Sequence, residues 1–279
     1  MTAQTAQTAH GASREALAAA RERLDALTDS TAVDAERLAD ELAAVTALLH
    51  REVSLRRVLT DPAQPGEAKA ELSGRLLGGK VGGEAADLVA GLVRSRWSQS
   101  RDLVDALEEL TDLADLTAAQ KSGALDTVED ELFRFGRIVA ANTGLRAALT
   151  DRAASGTAKS ELLRSLLGGR ADAATERLVT RLVTAPRGRS LEAGLESLSK
   201  LAADRRQRMV AVVTSAVPLA DQQKERLGAA LAKIYGRRMH LNLDVDPEVL
   251  GGIRVQVGDE VINGSIADRI EDAHRRMAG

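Results

Sequence analysis

The sequence predicts a mainly α-helical protein with a small α+β domain at its C-terminus. Apolar residues recur at helical spacing through most of the chain, as with Leu103, Leu107 and Leu110. Ala, Leu, Glu and Arg dominate, and the 279 residues include 5 prolines. Beyond residue 207 the apolar period changes to two, the period of strands. We therefore expect a duplicated N-terminal helical bundle, followed by a short β-sheet with helices.

Composition argues against several classes of protein. The 38 basic and 41 acidic residues are mixed along the sequence, and the four aromatic residues are scattered, so we expect no nucleic-acid binding. Without cysteine the chain forms no disulfide, thiolate zinc site or cysteine nucleophile. No run of about 18 apolar residues occurs, so we expect no direct membrane insertion.

The helical part is an internal duplication. Residues 55–80 match residues 145–170 at a constant offset of 90, with fifteen of twenty-six positions identical and no gap. The match extends in both directions with the same helical pattern. The predicted organisation is a disordered start over 1–12, a first copy over 13–116, a second copy over 117–207 and an α+β domain over 208–279.

The boundary between the copies is predicted near Leu116. Thr117 and Gln120 have the spacing of a capping box, which indicates a helix start. We expect the opening helix of the second copy to run from about residue 118 to residue 140. The second copy then has no clear equivalent of the first helix, so it must obtain that packing from elsewhere.

The C-terminal domain is predicted from alternating runs and turn residues. The expected elements, in order, are a strand over 209–217, a helix over 221–235, strands over 241–245, 253–257 and 260–262, and a final helix from Ser265 that carries Ile266, Ile270 and Met277.

Residues Gly74 to Lys80 match the glycine and lysine spacing of a phosphate-binding loop. The next residue is Val81, where Ser or Thr would hold magnesium, and the segment follows a helix instead of a strand. We therefore interpret Gly78 and Gly79 as a helix C-terminus.

No residue pattern indicates a catalytic, cofactor-binding or metal site. The histidines are isolated in the sequence, and none has a second ligand three or four positions away: His10, His50, His240 and His274. The carboxylates fall on charged helix faces, where solvation and pairing four residues apart explain them.

Basic clusters occupy equivalent places in the two copies, at residues 94–97 and 187–189. The favoured interpretation is an exposed helix end with its following loop, and the alternative is a docking patch. Trp97 is either an interface anchor or a lid on the bundle.

The C-terminal sequence resembles one family. Residues 246–266 read Asp-Pro-Glu-Val-Leu-Gly-Gly-Ile-Arg-Val-Gln-Val-Gly-Asp-Glu-Val-Ile-Asn-Gly-Ser-Ile. This is similar to the signature of the delta subunit of F-type ATP synthase, the bacterial counterpart of the oligomycin-sensitivity-conferring protein. The signature positions are Gly251, Gly252, Gly258, Asp259, Asn263, Gly264 and Ser265. Residues 14–17 resemble the family's first helix.

The duplication departs from the ordinary family pattern and resembles the enlarged actinobacterial form. On this resemblance the first copy and the C-terminal domain correspond directly to the family, and the second copy is the added one.

The resemblance implies a non-catalytic stator subunit in the peripheral stalk of F1Fo, without cofactor. It would link the α3β3 head to subunit b so that proton-driven rotation is coupled to ATP synthesis. The N-terminal segments of α subunits would bind between the first and fifth helices, and the C-terminal domain would meet subunit b. The implied α-binding residues are Ala16, Leu17, Ala20, Leu24, Leu88, Val89, Leu92 and Val93. The implied location is peripheral, at the cytoplasmic face of the plasma membrane.

Two other functions remain open on the sequence. One is a free-standing helical adaptor that binds peptide helices of another complex. The other is a nucleotide-dependent enzyme that uses residues 74–80. The sequence does not decide which copy would hold an α segment, or whether the second copy is an independent bundle.

Overall fold

The computed structural model describes residues 2–28, 33–207, 210–235, 239–246, 252–257 and 260–263. The chain forms two compact units, Met1–Ala202 and Ala203–Gly279. The first unit contains both helical copies, and the second contains the sheet. Each unit has its own hydrophobic core. The mainly α class with a small α+β part is confirmed.

The described helices follow the predicted order. Those of the first half are α1 (Thr2–Thr28), α2 (Ala35–Arg51), α3 (Val53–Thr60), α4 (Gly66–Leu77), α5 (Gly83–Arg94) and α6 (Ser100–Ser122). Those that follow are α7 (Leu125–Ala141), α8 (Thr143–Thr150), α9 (Gly156–Leu167), α10 (Ala173–Thr184), α11 (Leu191–Gln207) and α12 (Asp221–Tyr235). Helices α2 to α5 correspond to α7 to α10 at the same offset of 90 that relates the sequences.

Helix α6 belongs to both copies. It contacts α1, α2, α3 and α5 of the first copy and α7 and α10 of the second. Its contact with α10 repeats the contact between α1 and α5. The packing that the second copy lacks is therefore supplied by the last helix of the first.

The predicted boundary near Leu116 is wrong as a break in structure. Helix α6 runs through it, and the Thr117 hydroxyl donates to the Leu113 carbonyl at 2.7 Å, a bond inside one helix, instead of capping a new one. The helix ends at Ser122 and is capped by Gly123, whose φ of 78° is the left-handed conformation that glycine adopts without strain. The opening helix predicted over 118–140 therefore begins only at Leu125.

Helix α1 begins at Thr2, where the sequence predicts no regular structure. Alanine favours helix, and no proline interrupts residues 2–12, so α1 extends towards the N-terminus beyond its buried part.

The two glycine pairs end helices, as predicted. Gly78 is the C-cap of α4 and Gly79 has a φ of 71°. Gly168 caps α9 in the same way, and Gly169 has a φ of 70°. The segment 74–80 is thus the last turn of a helix, which is the wrong element to begin a phosphate-binding loop.

The C-terminal unit places α12 with a four-stranded sheet. Its strands are β1 (Val210–Ser215), β2 (His240–Val245), β3 (Ile253–Val257) and β4 (Glu260–Asn263), in the order β2-β1-β3-β4. Strand β1 pairs in parallel with β2 and antiparallel with β3, and β4 pairs antiparallel with β3. The predicted strands and the helix over 221–235 are confirmed, whereas the helix predicted from Ser265 lies outside the described residues.

Candidate functional site

A cluster of ion pairs joins the two copies. Its acidic side chains are Glu108, Asp112 and Asp115, which lie on α6. Its basic side chains are Arg177 and Arg181 of α10, and Arg187 and Arg189 of the loop before α11. We call these seven residues the joint. The joint corrects the prediction that the carboxylates of this helix are solvated, because all three are buried.

Asp115 is the centre of the joint. Its side chain is 1% exposed and receives Arg177 Nε at 2.8 Å on one oxygen and an Arg181 guanidinium nitrogen on the other. Arg181 also donates from Nε to Asp112 at 3.2 Å. A buried carboxylate with charge-assisted hydrogen bonds to both oxygens has replaced much of its hydration.

Arg187 and Arg189 both contact Glu108. The side chain of Arg187 is 7% exposed, and it also donates to the Val104 carbonyl at 3.3 Å. The favoured interpretation of this cluster as an exposed loop is wrong for Arg187. Its φ of 48° lies in the left-handed region, which costs a non-glycine residue free energy that the contacts with Glu108 offset.

Burial raises the pKa of Asp112 to about 7, with Glu108 and Asp115 adding in the same direction and Arg181 opposing them. The physical cause is the loss of hydration around an ion that has one guanidinium as partner. Asp112 therefore exchanges its proton near neutral pH.

The spacing of the charged residues in the sequence indicates the joint, although the carboxylates were predicted to be solvated. The three carboxylates follow one another at four and three positions, and Arg177 and Arg181 are four apart, so each set lies on one helix face. Helix α6 also carries a leucine stripe on a different face. A helix with two such faces is buried on both sides.

The residues that the family resemblance implies for α binding lie where α1 packs on α5. Leu24 and the apolar set of α5 are fully buried members of the first core, and Ala16 and Ala20 are nearly so. Leu17 is half-buried. These side chains hold the two helices together, and the surface that a partner would touch is formed by their neighbours.

We call the surface above the α1–α5 contact the first-copy groove. Arg23 and Asp87 pair across it with N–O distances of 2.6 and 2.9 Å, and both side chains are about half exposed. Gly91 lies beside them, since a Cβ there would lie 3.7 Å from Arg23 Cδ. Among the described residues no helix other than α1 and α5 is ion-paired to Arg23 or Asp87.

The equivalent surface of the second copy, between α6 and α10, is ion-paired to the first copy. Arg177, which stands at the position equivalent to Asp87, donates to Glu36 at 3.1 Å and to Asp40 at 2.7 Å. Both acidic residues belong to α2. The start of α2 is therefore joined to α10 at the position equivalent to Asp87.

A cavity of about 780 Å³ adjoins the middle of α1 in the first copy. Leu17, Trp97 and Asp102 line it. Trp97 is largely buried and its indole N–H donates to the Leu92 carbonyl at 2.8 Å, so it closes the bundle instead of projecting as an anchor. The Ser13 hydroxyl donates to Asp102 at 2.7 Å and fixes α1 to the start of α6.

Two of the signature residues fall within the described sheet. Gly252 precedes β3 with a φ of 86°, which explains the glycine there, and Asn263 is the last residue of β4. The other five lie outside the described residues: Gly251, Gly258, Asp259, Gly264 and Ser265.

None of the described helices is both long and apolar enough to span a membrane. Within the same ranges, no three His, Cys, Asp or Glu side chains are grouped to hold a metal ion.

Comparison with known proteins identifies the family. Residues 113–277 match the model of the ATP synthase delta (OSCP) subunit family. The ATP synthase subunit delta of Streptomyces coelicolor is 84% identical over 269 residues, which is 96% of this chain and 98% of that protein. The subunit delta of Thermobifida fusca is 49% identical over 96% of this chain and 99% of that protein. A chain of the mitochondrial ATP synthase hexamer of Toxoplasma gondii aligns over 60% of this chain and 95% of its own length, with 23% identity and a TM-score of 0.33.

The matched range begins inside α6 and covers the second copy and the C-terminal unit. The expectation that the first copy is the family's own module, and the second the added one, is therefore wrong. The relatives span both copies. The chain belongs to the ATP synthase delta (OSCP) subunit family.

Proposed function

We propose that this chain is a non-catalytic stator subunit in the peripheral stalk of F1Fo ATP synthase. The observation that carries the proposal is near-full-length similarity to proteins named ATP synthase subunit delta. The chain would link the α3β3 head to subunit b, and prevent the head from turning with the rotor. It would lie at the cytoplasmic face of the plasma membrane and be held there by its partners.

The joint supports a role that requires stiffness. Two helical modules connected by a flexible linker would swing under torque, whereas these two share one continuous helix. Buried charge pairs have demanding geometry, so sliding of one copy over the other would leave Asp115 or Glu108 without its partners. A single rigid body transmits force without a hinge.

The exposed surface over α1 and α5 supports placing the α segment on the first copy. An amphipathic helix binds to another protein by covering an exposed surface, and in the second copy the position equivalent to Asp87, Arg177, is already paired with α2. We therefore place the α N-terminal segment over α1 and α5, at the helices that carry the implied residues. Subunit b is assigned to the C-terminal unit.

Titration of a labelled peptide from the N-terminus of the organism's α subunit tests the groove. We expect saturable binding to the full chain, weakened at least about tenfold by Gly91→Trp because the indole would fill the first-copy groove. Gly74→Trp is the matched control, since Gly74 lies on the exposed face of α4 with no atom within 4 Å of an added Cβ. Equal weakening by both substitutions would contradict the assignment.

Removal of the protein from the cell tests the stator role itself. Membranes that lack the chain are expected to retain Fo and to lose coupled, membrane-bound F1. Coupled ATP synthesis in such membranes would refute the role, whereas a failed peptide titration alone would refute only the location of the α site.

A further inference from the structure

The second copy contains a cleft that the first copy lacks. Its volume is about 890 Å³, and it lies between α8, the start of α9, the end of α10 and the loop that leads to α11. Its floor includes the buried side chains of Leu149, Leu182 and Leu191. A cleft of this size accommodates a short peptide segment.

The rim of the cleft is positively charged. Arg146, Arg152, Lys159 and Arg189 line it, with Glu192 as the one carboxylate among the lining residues. Glu192 pairs with Arg146 at 3.5 Å, and Arg189 pairs with Glu108 of the joint. Within the part of the chain that the structure describes, Arg152 and Lys159 have no acidic partner. Two uncompensated cations therefore stand above an apolar floor.

The corresponding space in the first copy is filled. There Trp97 donates to Leu92, the equivalent of Leu182, and Lys69, the equivalent of Lys159, is buried. The position equivalent to Trp97 at the offset of 90 is Arg187, which turns into the joint. In the second copy the equivalent of the loop that closes the first bundle is thus held by Glu108, and the cleft lies in the space left unfilled.

We propose that this cleft is a docking site for an acidic amphipathic segment of a partner protein. Carboxylates of the segment pair with Arg152 and Lys159, and its apolar side chains cover the leucine floor. Charge complementarity identifies the occupant, because an apolar helix would leave the two cations unpaired and a basic one would be repelled. The site is separate from the first-copy groove and does not depend on which partner occupies that groove.

The test uses the full chain and a fluorescent helical peptide of about sixteen residues, with leucines on one face and glutamates on the other. We expect saturable binding that weakens with salt. The double variant Arg152→Glu/Lys159→Glu is expected to lose at least about tenfold in affinity. Ala147→Trp, which fills the cleft without changing charge, is expected to do the same, since Ala147 is an exposed lining residue.

Arg75→Glu/Lys80→Glu is the matched control, because both residues are exposed on the first copy, away from the cleft. It is expected to leave binding within about twofold of the wild type. Three results would overturn the proposal: equal weakening by the control pair, unchanged binding in Ala147→Trp, or equal affinity for a peptide with serine in place of every leucine. Circular dichroism of each variant confirms that it is folded.

Discussion

The two helical copies have the same succession of helices, yet they use equivalent positions for different purposes. Position 87 of the first copy is an aspartate that pairs with Arg23 at the half-exposed surface. Position 177 of the second is an arginine that reaches Asp115, Glu36 and Asp40. The exchange of one charge sign replaces an ion pair within the first copy by ion pairs that join the two copies. The two modules thus share one succession of helices and differ in the surface charges that join them.

The closing loops differ in the same sense. The Trp97 side chain packs in the first bundle, whereas the Arg187 side chain pairs with Glu108 of α6 instead of packing in the second bundle. The tight packing in the first copy and the cleft in the second both follow from this difference between Trp97 and Arg187. Because the Arg187 side chain pairs with Glu108 between the two copies, it does not close the second bundle as Trp97 closes the first.

Asp115→Ala is expected to have the largest effect on the comparison. Removal of this buried carboxylate leaves Arg177 and Arg181 without their shared partner, so we expect a loss of about 3–5 kcal/mol in the free energy of unfolding. Asp87→Ala, at the exposed pair of the first copy, should cost at most about 1 kcal/mol. Chemical denaturation measures both, and equal losses would remove the distinction between the two pairs.

Asp112→Asn tests the titration of the joint. In the folded protein the pKa of Asp112 is about 7, whereas in the unfolded chain Asp112 has the ordinary pKa of an aspartate. Between these two pH values the folded state therefore binds more protons than the unfolded state. The stability due to this proton is present at acid pH and is lost as the pH rises towards and through about 7.

Asparagine has no proton to lose, so the variant should gain stability relative to the wild type by about 2 kcal/mol between pH 5 and pH 8. Because the other carboxylates are common to both proteins, the difference between their unfolding free energies isolates Asp112. A difference that does not change with pH would show that Asp112 is ionised throughout.

Gly194→Ala probes the packing of the second copy's last two helices. An added Cβ would meet Leu182 Cδ1 and Cδ2 of α10 well inside contact distance, so α11 or the leucine must move. Overpacking of this kind costs about 1–3 kcal/mol. Thermal denaturation gives the magnitude, and an unchanged melting temperature would mean that the cleft lined by Leu182 absorbs the methyl group.

Gly136→Ala is expected to have the smallest effect and the opposite sign. Gly136 of α7 stands where the first copy has Thr46, and a Cβ there would lie 4.0 Å from Leu195, an ordinary contact. Alanine in a helix interior is more favourable than glycine by up to about 1 kcal/mol. Destabilisation would show that the helices of the second copy approach more closely than this distance implies.

Much of the architecture was predictable because it is periodic. The bounds of α12 follow from apolar residues at helical spacing, and those of β3 from alternation and turn residues. The duplication follows from identity at a fixed offset. The helix through Leu116 was missed because a Thr-x-x-Gln capping pattern also occurs inside helices, where the threonine hydroxyl bonds backwards, as Thr117 does to Leu113.

The joint was not predicted, because a charged residue is usually solvated and one chain gives no direct sign of burial. Only the tertiary contact of α6 with α10 brings Arg181 to Asp112 and Asp115. The implied α-binding residues were predicted in part. The helices that carry them were predicted correctly, but their apolar faces are buried in the core. Whether the surface above them binds an α segment stays a prediction.

Cross-linking in the assembled complex tests the division of labour between the copies most directly. The chain has no cysteine, so a single one introduced at Gly91 in the first-copy groove, or at Thr180 on α10, is unique in it. In purified F1Fo, we expect a short thiol-reactive cross-linker to join the cysteine at Gly91, and not the one at Thr180, to the N-terminal segment of an α subunit. Cross-links to α from the Thr180 position alone would contradict the account and place the head on the second copy.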